Sequence, residues 1–332
     1  MNIEGGVMNC LVTGAAGFIG SHLAERLLAD GHDVCGIDAF IDYYPRQIKE
    51  RNLEGPRSWD RFTFVEGNLL DVNLPSLLEG VDWVFHLAAQ AGVRSSWGQF
   101  FSLYVDCNLL ATQRLLEATR HVDSLRRFAY VSSSSVYGDV KTLPVVESMI
   151  PSPFSPYGVT KLGGEHLCTL YHRNFGVPTV SLRYFTVYGP RQRPDMAFHR
   201  FCKAVIDHEP IRVYGDGYQT RDFTYVSDVV EATVRGATAS AAVGEIMNIA
   251  GGSRTTVHDV IQILREVAGS SISVAFEEKQ YGDVSDTFAD TSLAQRVIGY
   301  HPSVALREGL ANEFAYILSL YTSLHRSPFK KG

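Results

Sequence analysis

Short, almost wholly apolar segments alternate with longer amphipathic segments along the first half of the chain. The apolar segments, which predict buried strands, cover residues 8–13, 33–38, 62–66, 83–87, 128–132 and 178–183. The amphipathic segments, which predict helices, include residues 18–30, 102–120 and 156–175. Strands that are apolar throughout and alternate with helices are typical of a parallel sheet with both faces covered. The pattern therefore predicts an α/β fold with a Rossmann-type, doubly wound parallel sheet.

The pattern of predicted strands and helices changes after residue 188, where the elements become shorter. Turn signals stand at residues 215–217 (Gly-Asp-Gly) and 251–252 (Gly-Gly). We expect a Rossmann domain over residues 1–188 and a smaller C-terminal α/β lobe that mainly binds substrate over residues 189–332, with the chain free to cross between the two more than once. No low-complexity linker separates the two parts, so they should pack as one unit.

Composition and charge narrow the classes of partner. The chain has 332 residues, of which 45% are hydrophobic and 20% charged, as in a globular protein with a sizeable core. Thirty basic against 36 acidic residues give a net charge of −6, which argues against a nucleic-acid or membrane partner. Five scattered cysteines lack CxxC spacing and fit a reducing cytosol without a zinc site. With no signal-peptide pattern in residues 1–7 and no apolar run of about 18–20 residues, we expect a cytoplasmic protein.

A glycine-rich loop joins the first predicted strand to the first predicted helix. Gly14 allows a tight turn, Gly17 lets the backbone approach a pyrophosphate, and Gly20 permits close packing of helix on strand. The helix N-terminus offers its free N–H groups to the phosphates. Asp38 ends the second strand 18 residues after Gly20, where an acid binds ribose hydroxyls and repels a 2′-phosphate. We therefore predict NAD rather than NADP as the cofactor.

Further cofactor contacts are expected around this loop and after the third and fourth strands. They are Phe18, Ile19, Asn68, Leu69, Leu87, Ala88, Ala89 and Gln90.

A tyrosine and a lysine at YxxxK spacing form the candidate catalytic pair. Tyr157 and Lys161 are four residues apart in a predicted helix, so their side chains share one face. A phenol has a pKa near 10, and a neighbouring ammonium or oxidised nicotinamide would favour its ionised form. Ser133, in a serine-rich turn at the carboxyl end of a strand, could hydrogen-bond the hydroxyl that loses its proton. The alternative is that the serines of this turn only cap the strand.

These motifs resemble the extended short-chain dehydrogenase/reductase family of nucleotide-sugar enzymes. The resemblance also rests on residues 86–90 (HLAAQ), on Tyr137-Gly138 and on residues 214–223, and it covers nearly the whole chain. Within that family, residues 90–97 and 183–198 resemble the UDP-glucuronate 4-epimerases. The resemblance implies a UDP-sugar substrate, with UDP-glucuronic acid as the expected sugar, and tightly held NAD.

The resemblance also implies which residues meet the substrate. Thr186 and Arg193 would hold the sugar carboxylate, and Ser134 and Ser135 would contact substrate or backbone. Candidates for the nucleotide are Arg94, Arg212, Arg221, Phe198 and Asp283. For the arginines the alternative is a surface ion pair, and for Phe198 it is an ordinary place in a helix core.

Oxidation at C4 by Tyr157 and NAD, followed by reduction from the other face of the sugar, is the activity that the resemblance implies. The 4-keto uronic acid loses carbon dioxide readily, so UDP-glucuronate decarboxylase is an alternative. UDP-glucose/UDP-galactose 4-epimerase is another, if Arg193 points away from the sugar. Dehydratases of the family carry an Asp-Glu pair where Ser134 and Ser135 stand, so dehydration is disfavoured. A non-enzymatic NAD-binding scaffold is disfavoured because all three candidate catalytic side chains are present.

The predicted helices 102–120 and 156–175 have apolar residues on more than one face. In the family, the matching helices pair across a two-fold axis. The resemblance therefore implies a homodimer held by a four-helix bundle.

Overall fold

Seven parallel strands form the central sheet. The computed structural model describes residues 6–280 and 282–326. The strands of the sheet are β1 (Asn9–Thr13), β2 (Asp33–Asp38), β3 (Phe62–Glu66), β4 (Trp83–His86), β5 (Arg127–Ser133), β6 (Thr179–Tyr184) and β11 (Ile246–Ile249). Their order is β3-β2-β1-β4-β5-β6-β11, and every neighbouring pair is parallel. The Rossmann-type prediction is confirmed, and the six predicted strands lie within one residue of their predicted ends.

Helices cover both faces of this sheet. One face carries α1 (Phe18–Ala29), α9 (Val226–Thr238) and α11 (Ser292–Ile298). The other carries α4 (Leu74–Leu77), α6 (Ala111–Thr119) and α7 (Pro156–Phe175). Each face of the sheet has its own apolar core. Alternate side chains of β1 pack into the two cores, with Val12 in the first and Leu11 in the second. Short helices α2 (Arg46–Asn52) and α3 (Glu54–Arg57) follow β2.

The predicted helix over residues 102–120 is present, but its middle is π-helical and not α-helical. The structure has α5 (Phe101–Tyr104), a π-helical segment (Val105–Leu110) and then α6. Asn108 within the π-helical segment hydrogen-bonds both backbone polar groups of Gln90 and also the Thr160 hydroxyl. The wider π turn places this amide against the loop after β4, and periodicity alone does not reveal such a local change.

The smaller lobe is built around its own apolar core. Its helices are α8 (Ala197–Ile206), α10 (Val257–Ala268) and α12 (Leu306–Arg326). Its strand pairs are β7 (Val187–Tyr188) with β10 (Thr224–Tyr225), β8 (Ile211–Tyr214) with β13 (Val274–Glu277), and β9 (Thr220–Asp222) with β12 (Arg254–Thr256). Between them the chain returns to the central sheet through β11, α9 and α11. Within the described residues, no helix is both long and apolar enough to cross a membrane.

Candidate active site

A cavity of about 420 Å³ opens at the carboxyl ends of the central strands, beside the point where the strand order changes direction between β1 and β4. Its lining includes all twelve predicted cofactor contacts and the predicted catalytic side chains Ser133, Tyr157 and Lys161. The predicted substrate residues Ser134, Ser135, Thr186 and Arg193 line it as well. Segments far apart in the chain are thus brought to one cavity.

The glycine-rich loop leaves no room for side chains at two of its positions. Gly14 has φ +72°, and a Cβ there would lie 3.0 Å from the backbone nitrogen of Ala88. A Cβ on Gly20 would lie 2.2 Å from the Gly14 carbonyl oxygen. The bare backbone therefore forms this wall of the cavity, and α1 begins there at Phe18 with its N-terminus directed to the loop.

Asp38 is held at the end of β2 by the backbone on either side. Its carboxylate accepts hydrogen bonds from Ala16 N at 3.2 Å and Phe40 N at 2.8 Å. Burial raises the pKa of Asp38, and Lys49, whose Nζ lies 4.0 Å from Oδ1, opposes that rise. An anchored carboxyl group at the cavity edge is suited to accept hydrogen bonds from ribose hydroxyls.

The loop after β4 is positioned by hydrogen bonds from beneath. The Thr13 hydroxyl accepts hydrogen bonds from Leu87 N at 3.1 Å and Ala88 N at 3.0 Å. It also lies 2.8 Å from His86 Nδ1. Burial lowers the pKa of His86 to about 3, so the imidazole is neutral at neutral pH. The loop that lines the cavity is thus held by the buried side chain of Thr13, which contacts the buried side chain of His86.

Tyr157 and Lys161 both face the cavity from the first turns of α7, where Ser155 caps the helix by accepting a hydrogen bond from Gly158 N. The Tyr104 ring meets the Tyr157 ring edge-on, with centroids 6.3 Å apart. Lys161 Nζ lies 4.6 Å from the centroid of the Tyr130 ring. The predicted pair therefore lies on one face of the helix and opens into the cavity.

Burial dominates the ionisation of this pair. It raises the pKa of the Tyr157 phenol, while the Ser133 hydroxyl and the Arg193 guanidinium lower it. The expectation that the Lys161 ammonium and an oxidised nicotinamide favour the phenolate stays a prediction. Burial lowers the pKa of Lys161 to about 8. Two groups with shifted pKa values in one cavity are characteristic of a catalytic site.

A buried ion pair lies directly behind the serine-rich turn. Glu165, one helical turn after Lys161, accepts hydrogen bonds from Arg183 Nη2 at 2.5 Å and Arg183 Nε at 2.9 Å. The side chains of this pair are 1% and 3% exposed. Ser132, which precedes Ser133, donates its hydroxyl to Glu165 at 2.8 Å. The pair therefore connects β5, β6 and α7 beneath the candidate catalytic groups.

Arg193 reaches the cavity from the loop between β7 and α8. Its guanidinium donates to both Asp195 oxygens, through Nε at 3.0 Å and Nη2 at 2.9 Å. The Tyr43 hydroxyl donates to the same carboxylate at 3.2 Å, and the Tyr43 ring lies 5.8 Å from the guanidinium carbon. Thr186 lines the cavity from the segment between β6 and β7.

Three other predicted substrate residues, Arg94, Arg221 and Asp283, lie together. Asp283 lines a second groove. Arg94 donates to Asp283 at 2.7 Å and lies over the Tyr214 ring at 4.3 Å. Arg221 donates to three backbone carbonyls, one of which belongs to Val284, next to Asp283. Val93, which precedes Arg94, lines the main cavity. The two groups of residues are therefore adjacent.

Two further predicted substrate residues, Phe198 and Arg212, lie in the smaller lobe. The Phe198 ring is 2% exposed and packs against Phe223 with centroids 4.5 Å apart, in the core of the smaller lobe. Arg212 has a side chain that is 68% exposed and pairs with Glu277 at 3.3 Å. Neither residue lines the main cavity, and their assignment to the nucleotide stays a prediction.

The chain matches known proteins over nearly its whole length. The model of the GDP-mannose 4,6 dehydratase family matches residues 11–312. The chain belongs to this family. It is 50% identical over 315 residues to a Bacillus subtilis (strain 168) protein named "uncharacterized UDP-glucose epimerase YtcB", with 95% of this chain and 99% of that protein covered. It is 36% identical to a UDP-glucuronate 4-epimerase of Thermodesulfobacterium geofontis, with 90% and 93% covered.

The crystal structure of a Bacillus cereus UDP-glucuronic acid 4-epimerase, in complex with UDP-glucuronic acid and NAD, has a TM-score of 0.92 to this chain. The sequences are 47% identical, and the alignment covers 95% of this chain and all of the other. The resemblance to NAD-dependent nucleotide-sugar epimerases is thereby confirmed. In this member of the family, Ser134 and Ser135 line the cavity as hydroxyls, not as the acid pair that dehydration requires.

Four polar side chains at the site were not singled out from the sequence. Tyr43 and Lys49 follow the second strand, Tyr104 lies in α5, and Asp195 follows Arg193 by two residues. The short distance of Asp195 from Arg193 in the chain was a visible signal, but an acid near an arginine in a loop has no preferred geometry. The contact of Tyr43 with Asp195 spans 152 residues of sequence, and no local pattern indicates it.

Proposed function

We propose that this chain is a UDP-glucuronate 4-epimerase, which interconverts UDP-glucuronic acid and UDP-galacturonic acid. One observation carries the proposal: Tyr157, Ser133, Thr186 and Arg193 line the same cavity as the glycine-rich loop. A proton-accepting group and a carboxylate-binding group would therefore face a single bound sugar. The match to a UDP-glucuronic acid 4-epimerase at 47% identity supports the same conclusion.

The residues present fit NAD as the cofactor. The wall at Gly14, which a Cβ would fill, gives a pyrophosphate access to backbone N–H groups. The anchored carboxyl group of Asp38 would bind the adenosine ribose, and the Lys161 ammonium would bind the nicotinamide ribose. These residues would hold NAD, which would supply reversible hydride transfer at C4 of the sugar. We assign cofactor binding to the central sheet and binding of the UDP moiety mainly to the smaller lobe.

Tyr157 takes the proton of the C4 hydroxyl in this proposal, and Ser133 orients that hydroxyl. The Ser133 hydroxyl and the Arg193 charge lower the pKa of the phenol and so stabilise the phenolate that must form. Lys161, whose pKa burial lowers to about 8, adds a positive charge on the same helix face below that pH. When the ketone is reduced on its opposite face, the phenol returns the proton.

Thr186 and Arg193 protect the keto sugar from losing its carboxyl group. A 4-keto uronic acid decarboxylates most readily when the C5–C6 bond aligns with the carbonyl π-system. A guanidinium and a hydroxyl that hold the carboxylate by directional hydrogen bonds keep the bond out of that alignment. The position of both side chains on the cavity wall supports this role.

Conversion of UDP-glucuronic acid, followed by chromatography and NMR, tests the proposal. The purified protein is incubated with this substrate, with UDP-glucose and with UDP-galactose, each with and without added NAD. We expect UDP-galacturonic acid without net formation of NADH. A UDP-pentose with release of carbon dioxide would identify a decarboxylase instead. Turnover of UDP-glucose alone would overturn the proposed role of Arg193 and Thr186.

We further propose that the protein is a homodimer and is cytoplasmic. Apolar side chains are exposed on the two helical segments that the sequence singled out, including Leu110 at 44% and Leu170 at 53%. Paired across a two-fold axis, these segments would form a four-helix bundle that buries them. The five thiols, all free in the structure, support a reducing location.

A further inference from the structure

We propose that Asp195 and Tyr43 are positioning residues that fix the Arg193 guanidinium for the carboxylate of the sugar. This inference rests on the proposed function and assigns a specificity role to two residues outside the catalytic pair. Its starting point is geometric: Arg193 lines the cavity, whereas Asp195 does not and contacts the guanidinium from behind.

Asp195 occupies only one edge of the guanidinium. Its two oxygens accept from Nε and Nη2, which is the bidentate arrangement that fixes the plane of an arginine. Within the described residues, Nη1 has no protein acceptor, so its N–H groups remain available to a ligand in the cavity. A guanidinium can accept a second carboxylate on this remaining edge, because it carries five N–H donors.

Tyr43 holds both members of the pair. Its hydroxyl donates to Asp195 Oδ2 at 3.2 Å, and its ring lies 5.8 Å from the guanidinium carbon. The same hydroxyl lies 3.3 Å from Ser95 Oγ, which is 2.7 Å from the Tyr104 hydroxyl. Tyr104 in turn is fixed by the backbone carbonyls of Ala91 and Gly92. Arg193 is therefore tied to the loops after β2 and β4, although it lies on a third loop.

The charge of Asp195 has a second consequence. Asp195 neutralises Arg193, so the pair without a ligand carries no net charge towards the sugar. If Arg193 is removed, however, Asp195 is left as an uncompensated negative charge close to the position of the sugar carboxylate. Asp195 is then expected to weaken binding of the acid, whereas it supports binding when Arg193 is present.

The opposite effects expected of Asp195 in the presence and absence of Arg193 can be tested with four variants. The variants Asp195→Asn, Tyr43→Phe, Arg193→Ala and Arg193→Ala/Asp195→Asn are loaded with NAD. Binding of UDP-glucuronic acid and of UDP-glucose is measured by calorimetry, and turnover of UDP-glucuronic acid is followed with the UDP-pentose by-product quantified. Asp207→Asn is the matched control. Asp207 also pairs with a cation, Lys203, which lies one helical turn before it, but that pair is on an exposed surface.

We expect Asp195→Asn to weaken binding of UDP-glucuronic acid about tenfold, Tyr43→Phe to weaken it about threefold, and both to increase the UDP-pentose fraction. Binding of UDP-glucose should change less than twofold, because it lacks the carboxylate. In the Arg193→Ala background, Asp195→Asn should improve binding of the acid. Asp207→Asn should resemble the wild type.

Three results would overturn the inference. Equal losses for UDP-glucuronic acid and UDP-glucose would indicate a merely structural role. Tighter binding of the acid by Asp195→Asn alone would show that Asp195 competes with the substrate. A further loss in the double variant would contradict action through Arg193. If the wild type converts UDP-glucuronic acid while any of these holds, only this inference fails. If the wild type does not convert it, the proposed function fails too.

Discussion

At the scale of single residues, the site combines shifted ionisation with fixed hydrogen bonds. Burial acts in opposite directions on Tyr157 and Lys161, because it disfavours the charged form of each group. The pKa of the phenol is raised and that of the ammonium is lowered to about 8. A cationic cofactor and a bound sugar must supply the remaining stabilisation of the phenolate.

Tyr157→Phe should reduce turnover of UDP-glucuronic acid by about 10³-fold, because general acid–base groups contribute about 10²–10⁴-fold. The NAD content of the purified protein should be unchanged, since the phenyl ring still fills its place beside Tyr104. Steady-state turnover and chromatography of released cofactor measure the two effects. Tyr171→Phe, on the same helix, is the control; its hydroxyl donates to Glu117, and full activity is expected. Substantial turnover by Tyr157→Phe would assign the proton transfer to another group.

At the scale of elements, the cofactor loop and the helix α7 each depend on one local feature. The loop needs a left-handed glycine with backbone of a neighbouring loop close by. Helix α7 needs a buried charge pair that holds it to β5 and β6. For each feature, another position in the chain provides a matched control variant.

Gly14→Ala should abolish retention of NAD on purification. The substitution forces φ +72° on a residue with a Cβ and places that Cβ 3.0 Å from Ala88 N. The control is Gly31→Ala, which has φ +87° but nothing within 4 Å of the added Cβ. Strain of about 1–2 kcal/mol is common to both variants. Loss of NAD in both, or in neither, would contradict the importance of the close approach.

Glu165→Gln should lower the free energy of unfolding by about 3–5 kcal/mol, because it leaves Arg183 buried without its counter-charge. Urea denaturation followed by circular dichroism measures the change. The control, Glu231→Gln, removes a carboxylate that pairs with Arg26 and Arg235 at a half-exposed site. For such a site we expect a loss below about 1 kcal/mol. Equal losses of unfolding free energy in the two variants would show that burial of the Glu165–Arg183 pair does not increase its contribution to stability.

At the scale of the whole molecule, buried histidines link stability to pH. Burial and the charge of Arg191 lower the pKa of His22 from 6.5 to about 4. Between these values the unfolded chain binds a proton that the folded protein does not. The folded state therefore loses stability as the pH falls from 6.5 towards 4.

His22→Gln should remove this contribution. Relative to the wild type, the free energy of unfolding of the variant should rise by about 3 kcal/mol as the pH falls from 7 to 4, because the pKa of His22 is lowered from 6.5 to about 4 and each pH unit between these values corresponds to about 1.4 kcal/mol. Urea denaturation across this pH range measures the difference between the two curves. His301→Gln, at an exposed position, controls for the loss of an imidazole. Parallel curves for wild type and His22→Gln would contradict the prediction.

Association of two copies is the second property at this scale. Leu110→Glu combined with Leu170→Glu places charges on the exposed apolar positions of the two helical segments, and should yield a monomer. Size-exclusion chromatography with light scattering gives the mass. Leu318→Glu is the control, because Leu318 is equally exposed, at 44%, but lies on α12. A monomeric wild type would remove the dimer proposal, and a dimeric double variant would relocate the interface.

Local sequence patterns were enough to predict the sheet, the glycine-rich loop and the spacing of Tyr157 and Lys161. These features depend on local periodicity, on glycine conformations and on helix geometry, all of which are readable within a few residues. The doubly wound arrangement of the sheet also followed, because alternating strands and helices wind in few ways. Family resemblance added Thr186 and Arg193, whose side chains line the cavity.

The three-dimensional structure was needed to show which candidates face the cavity and what holds them. It placed Phe198 in a core and Arg212 on the surface, and it interrupted the helix over residues 102–120 with a π turn. It also joined Tyr43 to Asp195 across 152 residues. Such contacts arise where loops from separate strands pack together, and the distance between two loops is set by the whole fold. Spacing along the sequence does not indicate that distance, so these residues could be identified only from the three-dimensional structure.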